Sequence, residues 1–178
     1  MKFLILFGIL FFLVLINPVF AQTIVAPNSG AKNVQYDLPY PGILPDSPLY
    51  FLKALRDNAI NFFITDPLKK ADYDLLMADK RLGASQMLLD KGEGDLSITT
   101  LSKAGNYFDN AISLAVQAKN QGENSDSILA KLLNASLKHQ EIIYQMEQKA
   151  KGQTLYNLGL LEIRAKTFQE KVELIRSK

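Results

Sequence analysis

Residues 66–92, DPLKKADYDLLMADKRLGASQMLLDKG, decide the fold class. Leu68, Ala71, Leu75, Ala78, Leu82, Ser85 and Leu89 recur at steps of three and four, the spacing that lines one face of an α-helix. Asp66 stands where a capping oxygen belongs. Pro67 suits the first helical position because it has no N–H to leave unpaired, and Lys91-Gly92 marks the end.

Three later stretches repeat the pattern. Leu101, Ala104, Phe108, Ala111, Ala115 and Ala118 form one stripe, rich in alanines that let a neighbouring helix approach closely. Ile128, Leu132, Ala135, His139, Ile142 and Met146 form the next, with Ser125 as its cap and Gly152 as its stop. Leu158, Leu161, Ala165, Phe168, Val172 and Ile175 form the last. No window alternates apolar and polar residues as a strand would. Four helices of about 22 to 27 residues with short polar links predict an all-α, antiparallel up-down four-helix bundle. Leu82-Gly83 and Leu158-Gly159 echo a tetratricopeptide fragment, but the helices are too long for a repeat of ~34 residues.

Upstream, the segment LPYPGILPDSPLYFLK spans 38–53. Pro39, Pro41 and Pro45 each fix φ, so Leu38–Pro45 reads as a stiff strap. Ser47-Pro48-Leu49 repeats the cap, proline, leucine order of Asp66-Pro67-Leu68 and predicts a short extra helix from about Pro48 to Phe63. That helix is apolar over most of its circumference, and only Lys53, Asp57 and Asn61 give a polar stripe. The expectation is burial of the apolar side; the alternative is a helix that docks a partner or a membrane surface.

The chain opens MKFLILFGILFFLVLINPVFAQ, with one cation at Lys2 and an apolar run of 14 residues from Phe3 to Ile16. The run is shorter than the ~20 residues a spanning helix needs. Val19 and Ala21 place small residues at the two positions a signal peptidase reads, with cleavage expected between Ala21 and Gln22, so residues 1–21 read as a signal peptide, 22–37 as a flexible leader and 38–178 as the helical domain. The alternative is an uncleaved N-terminal anchor. With cleavage the chain is exported, to the periplasm, cell surface or exterior; without it, the chain stays on the cytoplasmic membrane facing outward.

Composition excludes several chemistries. The formal charge is +2, with 20 Lys and Arg against 18 Asp and Glu, so no strong field is present to gather nucleic acid. The chain has no cysteine, hence no disulfide, thiolate metal site or cysteine nucleophile. His139 is the only histidine, no G-x-S-x-G elbow accompanies it, and its place on an apolar stripe predicts a packed side chain. Asp72, Asp74 and Asp79 lie among Lys69, Lys70, Lys80 and Arg81 and read as a solvated face with local ion pairs. KGEGD lacks the residues of a phosphate loop, and no E-x-x-H of the di-iron bundles occurs. Asn134-Ala135-Ser136 matches a glycosylation sequon but falls in mid-helix. No cofactor and no metal are expected. Tyr36, Tyr40, Tyr50 and Phe51 crowd the strap and first helix, either to staple the strap down or as a docking surface for an extended partner.

Residues Leu44, Pro45, Asp46, Ser47, Pro48, Leu49, Tyr50 and Lys53, then Asp66-Pro67, then Arg81-Leu82 within Ala78–Leu82, resemble a bacterial family of exported helical proteins, domain of unknown function 5667. The resemblance covers roughly 44–118 and departs at Gly83-Ala84-Ser85, where an acidic residue is expected. It implies export and helical structure and carries no catalytic residue or cofactor.

The expected function is that of a non-enzymatic helical module of the bacterial cell envelope, acting on a protein partner. Membrane contact is expected only if the N-terminus stays uncleaved. A tethered envelope protein and an unrecognised hydrolase are the alternatives.

Overall fold

The computed structural model describes residues 34–178. The signal segment, the Ala21-Gln22 cleavage site and leader residues 22–33 lie outside them. Five α-helices make up the described chain, with no strand among the described residues: α1 Tyr50–Phe63, α2 Pro67–Asp90, α3 Gly94–Asn120, α4 Asp126–Glu147 and α5 Gly152–Arg176. None is long and apolar enough to cross a membrane.

The two proline starts behave differently. Asp66 caps α2, its side chain accepting from the Lys69 N–H at 2.9 Å, with Pro67 in the first turn. Ser47 does not cap α1. Its Oγ accepts from Leu49 N–H at 3.3 Å within a turn, and the helix begins at Tyr50, two residues later than the Pro48 expected. The α2 end closes through Gly92 at φ 84°, and the Glu93 N–H reaches back to the Leu88 carbonyl at 2.9 Å. Gly122, at φ 83°, ends α3 the same way. α4 stops at Glu147, and Gly152 opens α5 instead of ending α4.

α2 and α3 pack along each other most extensively, then α4 with α5. Both pairs are antiparallel: Arg81 meets Tyr107 and Ser85 meets Ser97 in the first, and Gln140 bonds Gln169 in the second. Across the pairs the directions agree. Asp72 meets Lys131 and Asp79 meets His139 between α2 and α4, while Ser102 meets Arg164 and Asp109 meets Lys171 between α3 and α5. α3 and α4, although consecutive, touch less, and α2 and α5 stay apart.

The core is built mostly from the stripes read from the sequence, with Leu129 added and with Leu68, Leu89, Leu161 and Ile175 half-buried at its edge. Leu82, Phe108, Leu129, Leu132, Met146, Leu158 and Val172 are among its fully buried side chains. Alanines 71, 78, 104, 111 and 115 are buried between them, and their small size lets the helices approach closely. Phe108 stacks on Phe168 at 4.6 Å between centroids. Ser85 and Ser97 are wholly buried at the α2–α3 contact, each hydroxyl donating to the other's carbonyl at 2.8 Å. A polar residue in the α2 stripe is tolerated because its hydroxyl is satisfied.

Two expectations are overturned. Asp74 and Asp79 are not on a solvated face: they are 2% and 3% exposed, and only Asp72 of the three is exposed. The first helix is not buried on its apolar side. Its single buried residue is Asp57, while Phe51, Leu52, Leu55, Phe62 and Phe63 face outward.

Candidate functional site

Val34 and Tyr36, leader residues that run into the strap, are fastened by polar bonds. The Val34 N–H donates to Glu141 Oε2 at 3.0 Å, and Lys138 donates to the Val34 carbonyl at 3.4 Å. Tyr36 Oη donates to Asp79 Oδ2 at 2.6 Å. On the other oxygen of Asp79 sits His139 Nε2, at 2.8 Å. The carboxylate thus joins the strap to α2 and α4 at once. Phe108 closes the imidazole from α3 with an edge contact at 4.9 Å. Burial, then the charge and hydrogen bond of Asp79, push the Tyr36 hydroxyl far up, so it stays a donor. Burial would raise the Glu141 carboxyl, but the bonds from Val34 and Lys138 hold it below its ordinary value.

Tyr36, Asp79 and His139 resemble a relay on paper. Both oxygens of Asp79 are engaged, the histidine is 2% exposed, and the third member is a tyrosine that donates to the carboxylate. What this geometry does is latch the strap. Among the described residues no group of three or more His, Asp or Glu is gathered as a metal ion would require.

Beyond Tyr36 the chain runs along α2, from Asp79 past Gly83 to Lys91. Pro41 is buried and packs over Gly83, its ring 3.8 Å from where a Cβ on that glycine would be, an ordinary contact distance that an alanine would also fill. Lys53 reaches from α1 to the carbonyls of Pro41 and, at 3.1 Å, Ile43. Asp46 pairs with Lys91 at the far end of α2, at 2.6 Å. The motif residues are therefore not one site. Lys53 and Asp46 hold the strap, Leu44 and Pro45 are half-buried in it, Arg81 lies over the Tyr107 ring at 4.2 Å, and Leu82 is core.

The tyrosines separate likewise. Tyr36 is tied to Asp79, Tyr50 is half-buried, and Tyr40 and Phe51 are 75% and 64% exposed. Tyr36 staples, the Tyr50 ring carries the Lys53 ammonium of its own helix at 5.6 Å, and the last two are free to meet something else.

The polar stripe of α1 faces the protein. Asn61 Nδ2 donates to Asp74 at 3.2 Å, Tyr73 Oη donates to the Asp57 carbonyl at 2.9 Å, and the Arg56 guanidinium holds the Asp57 carboxylate at 2.7 Å. Burial raises the Asp74 carboxyl above its ordinary value, with Lys70, Asn61 and Arg81 opposing. An open cleft of about 480 Å³ lies between strap and α1, lined by Tyr40, Pro41, Ile43, Lys53, Arg56 and Lys80 among others. Burial lowers the Lys53 ammonium; Asp57 opposes this, and the charges of Arg81, Lys80 and Arg56 reinforce it.

The inverted setting of α1 escaped sequence reading, although one signal was present: in a helix so rich in large apolar side chains, Lys53, Asp57 and Asn61 fall on a single line. Asp79 escaped because its partners lie 43 and 60 residues away.

A family model described as Domain of unknown function (DUF5667) matches residues 42–158, from the strap to the first turns of α5. No curated protein and no solved structure matches the chain.

Proposed function

We propose, from the premise that this chain belongs to the DUF5667 family, that it is an exported, non-enzymatic helical module of the bacterial cell envelope which binds a protein partner through its strap. In this reading α2–α5 form an up-down four-helix bundle. Their directions alternate along the chain, and the proline strap with α1 is laid across one side. One observation carries the functional part. The strap backbone is immobilised by Tyr36, Pro41 and Lys53, yet it holds Tyr40 75% exposed and Ile43 42% exposed. Apolar side chains displayed on a rigid backbone bind with little ordering cost. Capture from a purified envelope extract tests it: the wild-type chain retains a specific protein, and Tyr40→Ser loses it while Phe62→Ser keeps it. Equal capture by wild type and Tyr40→Ser refutes the role of the strap.

A second reading, a tethered protein with its N-terminus uncleaved, draws on the outward apolar side of α1. Intact mass decides between them, since a chain that starts at Gln22 has lost the tether.

A further inference from the structure

α1 turns its greasy side away from the protein. Phe51, Leu52, Leu55, Phe62 and Phe63 fall within about 120° of its circumference at 3.6 residues per turn. Phe62 and Phe63 are 80% and 78% exposed. A helix resting on a protein in water ordinarily does the reverse. Here the orientation is imposed by specific bonds: Lys53 to the strap carbonyls, Asn61 to Asp74, and the Asp57 backbone to Tyr73. Rotating the apolar stripe inward would break all of them.

Charge lies beside that stripe. Lys53, Arg56 and Lys80 line the neighbouring cleft with no carboxylate among its lining residues, and Leu52 belongs to both cleft and stripe. Arg81 is near enough to act on Lys53 as well. The one nearby carboxylate acting on Lys53 is Asp57, already held by Arg56. An aromatic, uncharged stripe flanked by cations matches the two layers of a phospholipid surface, acyl chains below and phosphates above. A second copy is disfavoured by the same cations, because two-fold pairing of the stripes would bring each cluster toward its twin.

We propose that α1 is a membrane-surface helix: its stripe enters the outer acyl region of an anionic bilayer, and Arg56 with the neighbouring Lys80 meets the headgroup phosphates. The assignment does not depend on the protein partner proposed above. The chain has no tryptophan, so a single one reports position cleanly. The full-length chain carrying Phe62→Trp, its fold checked by circular dichroism, is mixed with phosphatidylcholine vesicles with and without a quarter phosphatidylglycerol. The expected result is a blue-shifted emission that brominated lipids quench, while Asn110→Trp, on an exposed position of α3, is neither shifted nor quenched. Replacing Arg56 and Lys80 by Gln in the Phe62→Trp chain lowers partition into the anionic vesicles roughly 30-fold. Three results overturn the proposal. One is emission from Phe62→Trp that matches Asn110→Trp. Another is a blue shift without lipid that grows with protein concentration, which marks a second copy. The third is equal partition into neutral and anionic vesicles.

Discussion

Removing one oxygen tests whether the strap latch exists in solution. Tyr36→Phe keeps the ring, which packs against the core, and deletes the hydroxyl that donates to Asp79 at 2.6 Å. Asp79 is 3% exposed, so water does not readily replace the lost donor. His139 still bonds the other oxygen at 2.8 Å. The loss is therefore one buried bond to a carboxylate, worth about 1.5–3 kcal/mol. Urea unfolding followed at 222 nm reads it as a lower midpoint with an unchanged slope. The same change made in Asp79→Asn should cost at least ~1 kcal/mol less, because the two side chains act on each other. Hydrogen exchange adds a local reading: the Val34 and Tyr36 amides should exchange faster in Tyr36→Phe. A loss under about 0.5 kcal/mol, the level of an ordinary surface substitution, refutes the reasoning, since the hydroxyl would then be bonded to water.

Two further substitutions probe the packing beyond the strap. Gly105→Ala puts a Cβ 2.8 Å from Arg164 Nη1; the guanidinium must swing off Asp109 and Asn106, a loss that the ~1 kcal/mol helix preference of alanine over glycine offsets, so a thermal melt should move by less than about 1 kcal/mol, whereas the same change in an Arg164→Ala chain, with nothing to displace, should stabilise by about 1 kcal/mol. Asp74→Asn should stabilise the protein at pH 7. Burial lifts the folded pKa above the ordinary 3.8, so the folded state binds the extra proton, and stability falls as pH rises from 3.8 through the folded value. The gain is therefore full above that window and vanishes below about pH 4, and urea melts at pH 7 and pH 3.5 check it; an equal gain at both would mean that the carboxylate charge is not the cause.

The long helices were legible because their information is local. Leu75, Ala78 and Leu82 share a face whatever they pack against, and Asp66-Pro67 starts a helix with only its own residues. α1 was legible as a helix and not in its orientation. Periodicity separates a polar line from an apolar one but is silent on which side is wet. That is decided by partners far along the chain: the Asp74 that receives Asn61, the strap carbonyls that receive Lys53, the Tyr73 that reaches Asp57. The same non-locality hid the latch. His139 on an apolar stripe signals a buried ring in need of a polar partner, and nothing in the spacing of α4 points to Asp79 on α2. Both misread features follow one rule: where a buried polar group finds its bond across elements, the local rule that polar residues face water fails. On α1 the consequence runs outward as well as inward. The Lys53 ammonium, the Asn61 amide N–H and the Asp57 carbonyl, all bonded on the protein side, leave the apolar side nowhere to go but out, and it is that displacement, more than its hydrophobicity alone, that makes α1 a surface awaiting a second phase.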